Sequence, residues 1–138
     1  MYLPHQKPSA WAAVRGGGAG GFVHFYAVEG GTLVCAEIHG LPESENGFFA
    51  FHIHEGSDCA APGGHYNPQN APHPSHVGDL PPLLSNDGHA YMTVLTDRFT
   101  PEQVIGKTVV IHAGPDDFRT QPSGDPGRML ACGPIHGG

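Results

Sequence analysis

Apolar and polar residues alternate along short segments of this 138-residue chain, and no long stretch repeats with the period of a helix. Alternation with a period of two is typical of strands that bury one face. Eight segments fit this pattern: Ala10–Arg15, Phe22–Val28, Thr32–His39, Phe48–His54, Leu80–Leu84, Ala90–Thr96, Lys107–His112 and Met129–Ile135. We therefore predict an all-β fold, an eight-stranded antiparallel Greek-key barrel or sandwich of the immunoglobulin-like kind.

Two segments interrupt the rhythm of the strands. Gly56–Asp79 is rich in glycine, proline, asparagine and histidine, and Ala113–Arg128 contains several prolines and aspartates. Irregular segments of this length in a compact domain are usually functional loops. Pro101–Val104 predicts a single helical turn, with Thr100 as its N-cap and Gln103 completing a capping box. Residues 1–9 are predicted to be a flexible tail, and residues 10–138 a single domain.

The charge and the termini narrow the range of partners. Thirteen acidic residues against six basic ones give a net charge of −7, which argues against nucleic acid and anionic membranes as partners. No segment is long and apolar enough to span a bilayer. The N-terminal sequence shows no basic region followed by an apolar core, so no signal peptide is visible. We expect a cytoplasmic protein, or an exported one whose leader has been removed.

Histidine is the most informative residue type, with eleven copies in the chain. His52 and His54 are two positions apart in a predicted strand, so they share a face while Phe51 and Ile53 share the other. Two imidazoles on one rigid strand suit copper or zinc. The pattern alone leaves a merely polar strand face as the alternative.

A second group of potential ligands lies in the first long loop. His65, His73, His76 and Asp79 offer three imidazoles and a carboxylate, a set that closes the tetrahedral coordination that zinc prefers. A solvated polar loop is the alternative reading. His112 ends the apolar run Thr108–Ile111, from which it could reach a shared site.

The sequence runs FHIHE, GGHYNP, HVGD, TVVIHAGPDD and LACGPI, in this order, resemble the copper/zinc superoxide dismutase family. The short segment between His54 and His65 resembles its bacterial members in particular. The resemblance extends from about Ala10 to Ile135. It implies that the chain binds copper and zinc. The implied copper ligands are His52, His54, His65 and His112, and the implied zinc ligands are His65, His73, His76 and Asp79. His65 would bridge the two metals, and Asp116 would link a copper ligand to a zinc ligand.

Three cysteines allow one disulfide and one unpaired thiol. The resemblance implies that Cys59 pairs with Cys132, which would tie the first long loop to the last strand. Cys35 lies in the middle of a predicted strand, and we expect it to be a buried thiol that acts as a small apolar group.

The implied activity is the conversion of superoxide to dioxygen and hydrogen peroxide by redox cycling of copper, with zinc in a structural role. One position departs from the family pattern: Met129 lies where the family carries an arginine that guides the anion, and Arg128 lies one residue earlier. We therefore expect a reduced rate unless Arg128 reaches the copper channel.

Three alternatives remain open from the sequence. The first is a non-catalytic copper buffer or carrier, the second a zinc-dependent hydrolase, and the third a plain scaffold domain with incidental histidines. We expect a monomer or a homodimer.

Overall fold

The first two strands show how the alternating pattern becomes a sheet. A computed structural model of the chain describes residues 6–138. Strand β1 (Ala10–Gly16) and strand β2 (Ala19–Val28) pair antiparallel, with the buried Ala12 opposite the buried Val23. Gly17 and Gly18 form the turn with φ angles of 57° and 86°, as a two-residue hairpin turn requires.

The remaining elements complete an antiparallel architecture. They are β3 (Gly31–His39), β4 (Phe48–Phe49), β5 (Phe51–His54), β6 (Leu83–Leu84), β7 (Ala90–Thr96), α1 (Pro101–Val104), β8 (Thr108–His112) and β9 (Met129–Gly137). Seven strands form one curled sheet in the order β5-β8-β9-β1-β2-β3-β7, while β4 and β6 pair separately. The all-β prediction is confirmed. One face of every long strand contributes to a single apolar core.

The predicted strand Phe48–His54 is two strands, because the chain changes sheets at Ala50. Phe49 pairs with β6, whereas Phe51 pairs with β8. Between them, the Ala50 amide donates to the Gly114 carbonyl at 2.9 Å, and the Ala50 carbonyl accepts from the His112 amide at 3.0 Å. Ala50 therefore joins the second long loop to the end of β8.

The predicted strand Leu80–Leu84 is shorter in the structure, where only Leu83–Leu84 pairs. Pro81 and Pro82 have no amide hydrogen and cannot donate to a ladder, which accounts for the loss. The other strand predictions agree with the structure to within a few residues at each end. The helical turn is confirmed, and the Gln103 side chain accepts a hydrogen bond from the Thr100 amide at 2.9 Å.

The expected burial of Cys35 is wrong. Its thiol is unpaired as predicted, but it is only half-buried, because the neighbours Val34 and Ala36 take the core-facing positions of β3. Strand alternation then turns Cys35 to the outer face, beside His24 of β2 and Thr93 of β7. Most of the predicted N-terminal tail, residues 1–5, lies outside the described residues.

The first long loop covers the outer edge of β5. The Ile53 amide donates to Gly78 and the Ile53 carbonyl accepts from Tyr66, both at 2.8 Å, so that two separate parts of the loop flank one strand. The predicted disulfide is confirmed: Cys59 of this loop is bonded to Cys132 of β9. In the described part of the chain, no helix is long and apolar enough to cross a membrane.

Candidate metal centre

Strand β5 presents two imidazoles on one face and two apolar side chains on the other. Phe51 and Ile53 belong to the core, and the alternation of the strand turns His52 and His54 away from it. Both histidines are nevertheless buried. The structure thus brings together the pair that the alternation predicts, in surroundings shielded from water.

His112 adds a third ring to this face. It ends β8, the strand that pairs with β5, and its amide is fixed by the Ala50 carbonyl. The ring centroids of His52, His54 and His112 lie 5.6 to 6.3 Å apart. Their three donor nitrogens lie within 4.8 Å of one another, a spacing that allows one ion to bind all three.

Each of these three rings has one nitrogen held by the protein and one without a partner. His52 Nε2 is bonded to Asp116 Oδ2 at 2.8 Å. His54 Nδ1 is bonded to the Gly63 carbonyl at 2.8 Å, and His112 Nδ1 to the Gly127 carbonyl at 3.0 Å. A carbonyl oxygen can only accept, so these contacts fix the tautomers of His54 and His112 with the other nitrogen unprotonated. The unpartnered nitrogens, all buried, are His52 Nδ1, His54 Nε2 and His112 Nε2.

A second donor set lies on the first long loop. His65 Nδ1 is 2.8 Å from Asp79 Oδ1 and 3.1 Å from His76 Nδ1. Asp79 Oδ2 is 3.1 Å from His73 Nδ1 and 3.2 Å from His76 Nδ1. Four ligands about 2.0–2.1 Å from a tetrahedral zinc ion lie roughly 3.3 Å from one another, so these separations are close to those of a zinc site.

His65 lies between the two sets. Its Nδ1 belongs to the second set, while its Nε2 is buried and unpartnered. Its ring centroid is 4.0 Å from that of His52 and 4.9 Å from that of His54. The donor atoms of His52, His65, His73 and Asp79 also lie within 4.8 Å of one another, so His52 adjoins both sets.

Asp116 connects the two sets from the second long loop. Its Oδ2 accepts from His52 Nε2 at 2.8 Å and its Oδ1 accepts from His73 Nε2 at 2.7 Å. Burial raises the pKa of this carboxyl group, but the hydrogen bonds from His73 and His52 outweigh burial, so the net pKa is lowered. Gly124 packs so tightly here that a Cβ atom would lie 2.1 Å from Asp116 Oδ1.

The electrostatics favour neutral imidazoles and an ionised carboxylate. Burial lowers the pKa of His52 to about 3 and that of His54 to about 4, and it also lowers the pKa values of His76 and His112. Burial raises the pKa of Asp79, but hydrogen bonding and the nearby histidines outweigh it and lower the net value. These are the protonation states in which such groups bind metal ions.

The unpartnered nitrogens test whether metals fit this site. A buried polar atom without a partner costs about 1–3 kcal/mol, and such atoms are rare in proteins. Five imidazole nitrogens in this condition converge here: His52 Nδ1, His54 Nε2, His65 Nε2, His73 Nδ1 and His112 Nε2. Imidazole suits both copper and zinc, and the added carboxylate of Asp79 suits zinc, so the donor chemistry fits one ion of each kind.

Met129, not Arg128, stands opposite His112. The register of β8 and β9 shifts between Ile111 and His112, so that Ile111 pairs with Ala131 but His112 pairs with Met129. Residues directly opposite in an antiparallel pair share a face of the sheet. Arg128 is exposed, and its carbonyl accepts from the Ala113 amide at 2.9 Å.

Several groups that support this site could not be inferred from the sequence. The carbonyls of Gly63 and Gly127 belong to the backbone and carry no residue-type signal. Gln121 and Arg98 bond to the loop that carries His73 and His76, from positions 22 to 48 residues away in the chain. Only the tendency of polar side chains in long loops to be functional could have drawn attention to Gln121.

The comparisons with known proteins agree with this geometry. The family model for copper/zinc superoxide dismutase matches residues 19–135. A Cu-Zn superoxide dismutase 2 of Aquifex aeolicus is 34% identical over 125 residues, covering 76% of this chain and 72% of that protein. A Cu-Zn superoxide dismutase of Deinococcus radiodurans is 33% identical over 129 residues, covering 75% of this chain and 69% of that protein.

Two further matches extend the comparison. The extracellular Cu-Zn superoxide dismutase of Rattus norvegicus is 36% identical over 109 residues; the match covers 69% of this chain and only 45% of that longer protein. The crystal structure of the clock protein EA4 superimposes with a TM-score of 0.81 at 29% identity, covering 99% of both chains. With the family match extending over most of the chain, this protein belongs to the copper/zinc superoxide dismutase family, whose metals are copper and zinc.

Proposed function

We propose that this chain converts two superoxide anions and two protons to one dioxygen and one hydrogen peroxide. The observation that carries the proposal is the position of His65: its Nδ1 is among the donors of the second set, its Nε2 is buried and unpartnered, and its ring lies 4.0 Å from that of His52 in the first set. One imidazole shared between two donor sets suits a paired centre better than two independent sites. Copper, when bound, supplies the one-electron redox chemistry of both half-cycles.

The residues divide between the two metals. His52, His54, His65 and His112 would hold copper, and His65, His73, His76 and Asp79 would hold zinc. His65 Nε2 holds a proton in one half of the cycle and gives it to the reduced substrate in the other, as a general acid. Zinc has no redox chemistry; its ligand set orders the loop and fixes His65.

Asp116 fixes the two donor sets relative to each other. Its two oxygens hold the outer nitrogens of His52 and His73, which turns the opposite nitrogen of each ring inward. Such a link means that displacement of one ring displaces the other.

The charges of this chain give little electrostatic attraction for an anionic substrate. The second long loop carries Arg119 and Arg128 against Asp116, Asp117 and Asp125. Met129 occupies the face beside His112 without a charge. Because a positive cleft can raise the rate of anion association about 10–10³-fold, we expect turnover below the diffusional ceiling of about 10⁸–10⁹ M⁻¹s⁻¹.

The test is superoxide consumption by the protein loaded with copper and zinc, beside a His112→Ala variant whose metal content is measured. We expect rapid consumption that the variant loses together with its copper. His136→Ala, which alters an exposed histidine of β9, is the matched control and should keep full activity.

A second candidate function is a copper-holding protein without turnover. It is favoured by Met129, because a thioether beside imidazoles suits copper(I), whereas an arginine would attract the anion. Stoichiometric copper in the wild-type protein together with no superoxide consumption would make this the better description.

A further inference from the structure

The segment His73–His76 carries two donors of the second set at its two ends, yet it has no strand partner. It lies within the irregular part of the first long loop. Its local hydrogen bonds run from the Ser75 amide to the Pro72 carbonyl at 2.7 Å, from the His76 amide to Asp79 Oδ2 at 3.0 Å, and from the Asp79 amide to the His76 carbonyl at 3.1 Å. A groove of about 710 Å³ borders it, lined in part by Pro74, Asp79 and Phe118. The side chains of His73 and His76 are buried, but packing does not fill the space beside Pro74, and hydrogen bonds hold the backbone of the segment.

Gln121 binds one end of the segment through both of its polar atoms. Gln121 Nε2 donates to the His73 carbonyl at 2.8 Å, and Gln121 Oε1 accepts from the His73 amide at 2.8 Å. One side chain therefore satisfies both backbone groups of a donor residue, as a neighbouring strand would. Gln121 belongs to the second long loop, which also supplies Asp116.

Arg98 binds the rest of the segment from a different part of the chain, the turn after β7. Its Nη1 donates to the Pro74 carbonyl and to the His76 carbonyl, both at 2.9 Å. These are hydrogen bonds from a charged donor, which are stronger than neutral ones. Arg98 follows β7 and its amide is fixed by Thr96 at 3.2 Å, so the contact ties the segment to the sheet.

We propose that Arg98 and Gln121 are positioning residues for the zinc site: by fixing the backbone of His73–His76 they hold His73 Nδ1 and His76 Nδ1 at their separations from Asp79 before the ion binds. A donor set that is already in place loses less conformational freedom when it binds, and so binds more tightly. The proposal rests on the assignment of zinc to His65, His73, His76 and Asp79 in the proposed function.

The test is the zinc dissociation constant of the full chain, measured by competition with a chromogenic chelator, together with the visible spectrum of the protein after one equivalent of cobalt(II). Arg98→Gln and Gln121→Glu each remove donors to the segment. We expect each to weaken zinc binding about 10-fold, the lower end of the range for groups that orient ligands, and to alter the cobalt bands. Arg98→Lys keeps a charged donor and should recover part of the loss.

The control is Arg119→Gln, which removes one positive charge, as Arg98→Gln does, but removes no hydrogen bond to the segment. It should leave zinc affinity unchanged. A purely structural role predicts another result: the metal-free variants melt at lower temperature while the zinc dissociation constant and the cobalt spectrum stay as in the wild type. That result would overturn the proposal.

Failure of the proposed function gives a different pattern. A wild-type protein that binds no zinc contradicts both the zinc assignment and the positioning role. Zinc affinity that falls in Arg98→Gln and Gln121→Glu, in a protein that consumes no superoxide, supports the positioning role and refutes only the dismutase activity.

Discussion

Met129 pairs with His112 across β8 and β9, at the point where a bulge interrupts the register of the two strands. Met129 is 40% exposed, and it shares a face with an imidazole whose Nε2 is buried and unpartnered. A neutral thioether therefore occupies the position nearest His112 on this face of β9. The bulge decides which side chain lies there, because a regular register would place Leu130 opposite His112 instead.

Replacement of Met129 by arginine should raise the rate of superoxide consumption. A cation on this face attracts the anion toward His112, and we expect an increase of roughly 10-fold at low ionic strength that shrinks as salt is added. Stopped-flow measurement of superoxide decay at several salt concentrations checks it. Met129→Leu has similar size and no charge, and should leave the rate unchanged. An unchanged rate in Met129→Arg would mean that another group, such as Arg128, already guides the anion.

Replacement of Asp116 by asparagine should loosen both donor sets. The amide cannot accept hydrogen bonds from His52 and His73 through both of its heteroatoms, so one ring loses its orientation. We expect metal affinity to fall about 10–100-fold, measured as copper and zinc retained after dialysis against a chelator. Asp117→Asn alters an exposed carboxylate in the same loop and serves as the control. Equal retention in both variants would refute the linking role of Asp116.

The metal-free protein should lose stability as the pH falls from about 6.5 toward 4. Burial lowers the pKa of His52 to about 3 and that of His54 to about 4, whereas in the unfolded chain both titrate near 6.5. Between these values the unfolded state binds more protons than the folded state, so the free energy of unfolding rises with pH across this window. The lowered pKa values of Asp79 and Asp116 act in the same direction below about pH 4.

Urea unfolding of the metal-free protein at pH 7, 6 and 5 checks this dependence. His54→Gln removes one of the two titrating groups and should flatten the change in midpoint with pH. His136→Gln removes an exposed histidine and should retain the slope of the wild type. A midpoint in the wild type that is constant over this range would contradict the pKa shifts.

Loss of the disulfide should destabilise the metal-free protein by about 4 kcal/mol, the chain-entropy value for a closed loop of this length. Cys59 and Cys132 are separated by 73 residues, so their bond removes many conformations from the unfolded chain. The double variant Cys59→Ser, Cys132→Ser, compared with the wild type by urea unfolding, provides the measurement. Cys35→Ser alters the unpaired thiol alone, and a comparable loss in that variant would show that the effect is not due to the bond.

Periodicity predicted the parts of the fold and site that follow from a strand. The shared face of His52 and His54 follows from a period of two, and the core-facing positions of Phe51 and Ile53 follow from the same rule. The structure places Val34 and Ala36 in the core, so the same rule turns Cys35 outward, whereas the prediction of its burial followed its residue type. Position in the strand outweighs the average preference of the residue.

Contacts between the first long loop and distant parts of the chain could not be predicted. The bonds from Gln121 to His73 and from Arg98 to His76 join residues far apart in sequence, through segments with no repeating pattern. The break at Ala50 was missed for a similar reason. The run Phe48–His54 looks continuous, and only the competing partners Gly114 and His112 show why the chain leaves one sheet for another.

The bond between Cys59 and Cys132 fastens the loop that bears His65 to the last strand of the sheet. Oxidation of the two sulfurs and occupation of the metal centre thus restrict the same length of chain, and each makes the other more favourable. The factor by which the disulfide raises metal affinity equals the factor by which bound metal favours the disulfide, because the two equilibria belong to one thermodynamic cycle. In a cell short of metal the disulfide would be easier to reduce. In a reducing compartment the affinity of the protein for the metal ions would fall by the same factor.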